Sequence, residues 1–227
     1  MSDFVFARID SCKKLQVLFL RSSGLTDADM SQICVSLKTN SSIKVLDISS
    51  NRELTVESAY GLCDVMTANR ALEYLGMSKL NLAGENVVPI FEGIGRFPFP
   101  AEDVENQLAE LKKRDAIIEK NKKLKASKKA EEPVPQLDNI EQITKKNEEG
   151  EEVQEWVTIK NPQFKHLNIC MNNIEDDVVE ALQAVLDRTT DDFGVTISSN
   201  KLSEPVIEEL HQKIRDLHKQ NVEILVK

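Results

Sequence analysis

The sequence predicts an α/β chain in which a short strand and a helix alternate in repeats, with a long charged helical insertion between the two halves of the array. The prediction rests on a Leu-x-x-Leu-x-Leu register that returns every 28 or 29 residues and on apolar residues at helical spacing after most copies. It also rests on residues 98–160, which break the period yet leave its phase intact. The implied divisions are 1–97 for the first half of the array, 98–160 for the charged helical and linker insertion, and 161–227 for the second half.

The first repeat reads Leu15, Leu18, Leu20 and Leu25, and the second Ile43, Leu46, Ile48 and Leu54, with Asn51 where the first has Ser23. A third, Leu72, Leu75, Met77 and Leu82, is degenerate, because Leu80 stands where an asparagine is expected. The pattern returns as Phe164, Leu167, Ile169, Asn172 and Ile174, then as Val195, Ile197, Asn200 and Leu202. On a strand, the last two apolar positions of the motif point inward on alternate residues. An asparagine three residues later satisfies the backbone where the chain turns away. Leucine has no such amide, so the third turn is predicted to lack its side-chain bridge.

Helical stripes follow at Met30, Ile33, Cys34 and Leu37, at Ala59, Leu62, Cys63 and Val65, and at Val178, Val179, Leu182 and Leu186. Helix starts are predicted at Thr26, ahead of Asp27 and Asp29, and at Ser203, ahead of Glu204 and Pro205. No repeat buries both its faces alone. At the beginning, Val5 and Ile9 lie 28 residues before Ile33 and Leu37 and read as the helical half of a repeat. Phe4, Phe6 and Ile9 then either cap the first strand, mark a fragment start, or stack against another leucine-rich chain. At the other end, Ile207, Leu210, Ile214 and Leu217 predict a helix, and Val222, Ile224 and Val226 a last strand.

Leu72 to Phe164 spans 92 residues, one period plus 64, so the frame survives the insertion. Phe97–Pro100 (FPFP) stops the preceding helix. Ala101 to Lys129 reads as one helix with a seam at Val104, Leu108, Leu111 and Ile118, interrupted by Asp115 and Lys122. It is a weak coiled-coil strand, an arm across the repeats, or a solvated spacer. Acidic residues lead it and basic ones, including Lys122, Lys123, Lys125, Lys128 and Lys129, end it, as the helix dipole favours. Residues 130–152 read as a loop or linker around one short helix. Gln154–Lys160 leads back to the array, with Trp156 either plugging the gap or anchoring a partner.

These motifs resemble the leucine-rich repeats of the ribonuclease-inhibitor type, over residues 1–97 and 161–227. The resemblance implies a short curved leucine-rich repeat solenoid, with a concave parallel sheet and outer helices, that acts as a protein-binding surface. Such repeats also occur in tropomodulin-like actin cappers and in ciliary axoneme complexes. The chain departs from the cappers in lacking a recognisable helical actin-binding region ahead of the repeats.

With 29 Lys and Arg against 38 Asp and Glu, the formal net charge of −9 argues against a general nucleic-acid binder. No apolar run approaches the ~20 residues of a membrane span. The start reaches Asp10 and Lys13 before any stretch that would serve as a secretory signal. Cys12, Cys34, Cys63 and Cys170 share no ligand spacing and read as reduced thiols of a cytoplasmic protein. There is no GxxxxGK loop and no GxGxxG, since Gly93 and Gly95 close a helix rather than follow a strand. His211 and His218 lack a third ligand. No enzyme activity, cofactor or metal is predicted.

Function therefore rests on surfaces. On the concave face the positions predicted to be exposed are Phe19 and Arg21, Asp47 and Ser49, Gly76 and Ser78, Asn168 and Cys170, and Thr196 and Ser198. His166 points to the same side. Phe19 reads as edge packing or as an anchor. The candidate partner-binding residues are Phe19, Arg21, Asp47, His166, Lys122, Lys123, Lys125 and Trp156. The reading is a non-enzymatic scaffold or adaptor in a cytoskeletal or axonemal assembly, binding proteins, another leucine-rich chain or a filament. The alternatives are a regulatory subunit that occludes an enzyme or signalling surface, and a subunit of a nucleic-acid-associated particle that uses Lys112–Lys129.

Overall fold

Leu18, Leu46, Leu75, Leu167 and Val195 stand side by side across one parallel sheet, and the motif's phase explains why. Its strands are β1 (Val17–Phe19), β2 (Val45–Asp47), β3 (Tyr74–Gly76), β7 (His166–Asn168) and β8 (Gly194–Thr196), in the order β1-β2-β3-β7-β8. Leu75 pairs with Leu167 across the step of 92 residues, so the strands flanking the interruption are direct neighbours. The computed structural model describes Ile9 and residues 12–128, 130–146, 151–159, 163–189 and 193–217. Val5, Phe4, Phe6, Lys129, His218 and the strand expected at Val222, Ile224 and Val226 lie outside the described residues. The chain divides into two compact units, Met1–Gly95 with Asn161–Lys227, and Arg96–Lys160.

Among the described residues of the first unit the helices with full bounds are α1 (Asp27–Thr39), α2 (Val56–Ala68), α3 (Gly84–Gly93), α5 (Val179–Arg188) and α6 (Glu204–Asp216). Their apolar stripes, including Ile33, Leu37, Leu62, Leu182 and Leu210, join the inward strand residues in one core. Thr26 caps α1 by a capping box with Asp29. Ser203 caps α6 differently from the expectation: its side chain makes no cap bond, and its backbone N–H is instead received by Asp176 at 2.8 Å. Gly93 is required by packing, because a Cβ there would sit 2.7 Å from the Cys63 carbonyl oxygen of the adjacent helix.

Two asparagine series tie the repeats together. Asn51 accepts from Ser23 and Leu25 N–H and donates to the Leu20 and Ile48 carbonyls. Asn172 does the same for Leu80, Leu82, Met77 and Ile169. Asn200 does so for Asn172, Ile174, Ile169 and Ile197. The series skips Leu80, which is buried and offers Asn51 N–H no acceptor. At the helix ends, Asn69 donates to the Leu37 and Asn40 carbonyls, and Asn40 to that of Ile9. Ile9 therefore occupies the place that Leu37 holds one repeat later.

The second unit departs from the sequence reading. The predicted loop at 130–152 contains a strand, β5 (Asn139–Lys146), paired antiparallel along its length with β6 (Glu152–Ile159). Strand β4 (Arg96–Pro98), drawn from the stretch expected only to stop a helix, pairs on the other side of β6. The physical reason is that Asn139–Lys146 shows no apolar alternation of its own, so its hydrogen-bonding partner decides its conformation. Trp156 sits in the middle of β6 opposite Gln142, half-buried.

The long helix is α4 (Val104–Ala126), preceded by a 3-10 turn at Ala101–Asp103. It docks on its own unit's returning chain. Gln107 donates to the Asp138 carbonyl at 2.7 Å, Arg114 to Asn139 Oδ1 at 2.9 Å, and Asn121 exchanges hydrogen bonds with the Glu132 backbone. That contact was not among the packings expected for it.

Candidate functional site

Residues 17, 19 and 21 of the first repeat, and their equivalents 28, 29, 92 and 28 positions further on, alternate with the core residues and so face away from the helices. At the β1 edge, Phe19 is 64% exposed and Val17 44%. The Arg21 guanidinium carbon lies 5.7 Å from the centre of the Phe19 ring. Its Nε donates to Asp47 Oδ2 at 2.7 Å, which fixes the cation beside the exposed ring.

Asp47 does not meet the expectation of exposure. It is buried, 1% exposed, beneath Arg21 and against Gly76, where a Cβ would lie 2.7 Å from the Asp47 carboxyl carbon. Ser49 and Gly76 are buried with it. Burial pushes the Asp47 carboxyl up, but hydrogen bonds from Arg21 and Ser49, with the charge of Arg21, outweigh burial and hold it below the usual carboxylate range. Asp47 thus positions Arg21, and only Arg21 of the pair presents charge outward.

A polar row continues across the face. Ser78 N–H reaches Ser49 Oγ at 3.1 Å, Ser78 Oγ donates to Asn168 Oδ1 at 2.8 Å, and Asn168 Nδ2 donates to the Tyr74 hydroxyl at 3.3 Å. His166, half-buried, stacks on Tyr74 with ring centroids 5.5 Å apart and has Nε2 2.9 Å from Thr196 Oγ1. Cys170 Sγ lies 3.1 Å from Ser198 Oγ. At the strand starts, Glu73 bridges Lys44 at 2.8 Å and Lys165 at 3.1 Å. The hydrogen bonds from those two lysines lower its pKa.

Of the predicted candidates, the structure brings Phe19, Arg21 and Asp47 together and puts His166 further along the same face. Lys122, Lys123, Lys125 and Trp156 belong to the other unit. Lys122 is paired with Glu119 at 2.5 Å, while Lys123 and Lys125 are exposed on α4. Tyr74 escaped the sequence reading, although it holds the register position of Val17, Val45 and His166. Listing that row by period would have found it. Among the described residues no helix is long and apolar enough to cross a membrane.

Neither a family model nor a curated protein matches the chain. Its structure is similar to a solved one, Leiomodin-1 actin-binding site 2, at 10% identity and a TM-score of 0.56, covering 96% of this chain and 88% of that one. The fold is of the leucine-rich-repeat kind. At that identity the likeness concerns the fold alone.

Proposed function

We propose that the chain is a non-enzymatic, protein-binding scaffold of the cytoskeleton. In this reading its first unit is a ribonuclease-inhibitor-like solenoid, and residues 98–160 are an insertion that supplies a second attachment. The open sheet face carries the primary contact. The observation behind this is Phe19, 64% exposed at the sheet edge with Arg21 held over its ring by a buried carboxylate. An aromatic and an arginine that are already ordered lose little entropy on docking, and such residues dominate interfaces. A filament partner is favoured by analogy, since the structural neighbour is an actin-binding site.

Co-sedimentation of the full chain with filamentous actin, and separately with microtubules, tests the reading. Wild-type protein should pellet with one filament. Phe19→Ala with Arg21→Ala should weaken this about tenfold or more, and Lys123→Gln with Lys125→Gln should weaken it less. No pelleting with either filament, or pelleting indifferent to Phe19 and Arg21, would remove this reading.

A further inference from the structure

We propose that a depression on the turn edge of the first unit, between Arg52 and Lys79, seats a glutamate carboxylate from an acidic segment of a partner protein. The depression has a volume of about 530 Å³ and is lined by Arg52, Lys79, Asn81, Met171 and Asn173. It lies where the asparagine series is interrupted, Arg52 following Asn51 and Lys79 preceding Leu80. The first and third repeats place two left-handed residues at this turn, the second of the two being Gly24 (φ 66°) and Asn81 (φ 64°), and every repeat places one at the matched position two residues earlier. That earlier residue is serine at Ser22, Ser50 and Ser199, but Lys79 (φ 57°) and Met171 (φ 56°) in the two repeats that line the depression. A Cβ disfavours that backbone.

Arg52 and Lys79 are exposed, and among the described residues neither has an ion pair. The contrast is Lys201, further along the same edge, which is matched by Glu175 at 3.7 Å. Asn173 Nδ2 donates to Asn81 Oδ1, which leaves the Asn81 amide N–H groups as donors. The rim therefore offers a guanidinium fork, an ammonium and an amide, a donor set that matches an oxyanion. A singly charged carboxylate suits it better than a phosphate, because Asp177 lines the adjoining depression beside the Glu175–Lys201 pair and its charge repels a second negative charge. Met171, 52% exposed, gives the methylene stem of a glutamate an apolar wall.

The test titrates the ¹⁵N-labelled full chain with the peptide Ser-Leu-Xaa-Leu-Ser, where Xaa is Glu, Gln or phosphoserine. The Glu peptide should shift the Lys79 and Asn81 amides and the Arg52 side-chain signal, and the effect should fade with added salt. Arg52→Gln or Lys79→Gln should weaken it about tenfold, the ordinary worth of a charged hydrogen bond. Both side chains are exposed, so an unchanged amide spectrum away from the site will certify that the variants fold. Phe19→Ala should leave the titration unaltered, which separates this site from the open sheet face. Equal shifts with the Gln peptide, tighter binding of the phosphoserine peptide, or no shift at millimolar peptide would each overturn the proposal.

Discussion

The two units reverse the usual relation between strand length and burial. In the repeat sheet each strand among the described residues has three residues, yet Leu46, Leu75, Leu167 and Val195 are fully buried. In Arg96–Lys160, β5 and β6 run eight residues each, and among the described residues the buried apolar side chains are Phe97, Val104, Leu111 and Val157. The difference is coverage. A row of helices closes one whole face of the short strands, whereas the long ladder depends on its backbone pairing and on polar anchors such as Arg114 and Asn121. Where burial carries the fold, single side chains should matter most.

The largest expected effect follows. Leu46→Ala or Leu167→Ala should cost about 2–5 kcal/mol, because each empties a fully buried site in a close-packed row. Trp156→Ala, half-buried on β6, should cost less despite removing more atoms. Urea unfolding monitored by circular dichroism will rank the three, and a Trp156 variant as damaging as Leu167→Ala would cancel the contrast between the units.

The same contrast decides what could be read in the sequence. Leu46 and Leu167 were legible because their burial recurs with the period, and the pairing of Leu75 with Leu167 followed from that phase alone. The gap at Leu80 was legible too, since leucine has no amide to bridge the turn. Strand β5 was not, because Ile140 and Ile143 fall off alternation and only the partner β6 reveals the ladder. At the candidate site, Phe19 and Arg21 were placed by alternation. The burial of Asp47 was hidden, because it depends on Gly76 leaving room one strand away.

That dependence sets the intermediate effect. Gly76→Ala forces the Asp47 carboxylate off its seat and should cost about 1–3 kcal/mol, the range for disturbing a buried, charge-assisted hydrogen bond. Acid should mimic it. The folded pKa of Asp47 lies below its ordinary value, so the unfolded chain binds the proton first as the pH falls. Its contribution is complete above the usual carboxylate pKa of about 3.9 and vanishes as the pH drops through the folded value. Wild type should therefore lose its stability advantage over Asp47→Asn on acidification. An advantage that stays constant from pH 7 to about pH 2 would show that charge on Asp47 contributes nothing.

The smallest effect belongs to the second unit. Arg96 Nε lies 2.6 Å from Glu141 Oε1, an ion pair across the sheet with side chains 21% and 34% exposed. Water reaches both groups, so most of the Coulomb attraction is screened and part of the rest offsets the entropy of holding two long side chains. A double-mutant cycle with Arg96→Ala and Glu141→Ala should return a coupling of about 0.2–1 kcal/mol. It should fall further at about 1 M salt, where the screening length is ~3 Å. A coupling above about 2 kcal/mol that survives salt would mean that this unit rests on a desolvated charge pair rather than on its backbone ladder. The two units would then differ in the kind of side chain that stabilises them, not in whether side chains do.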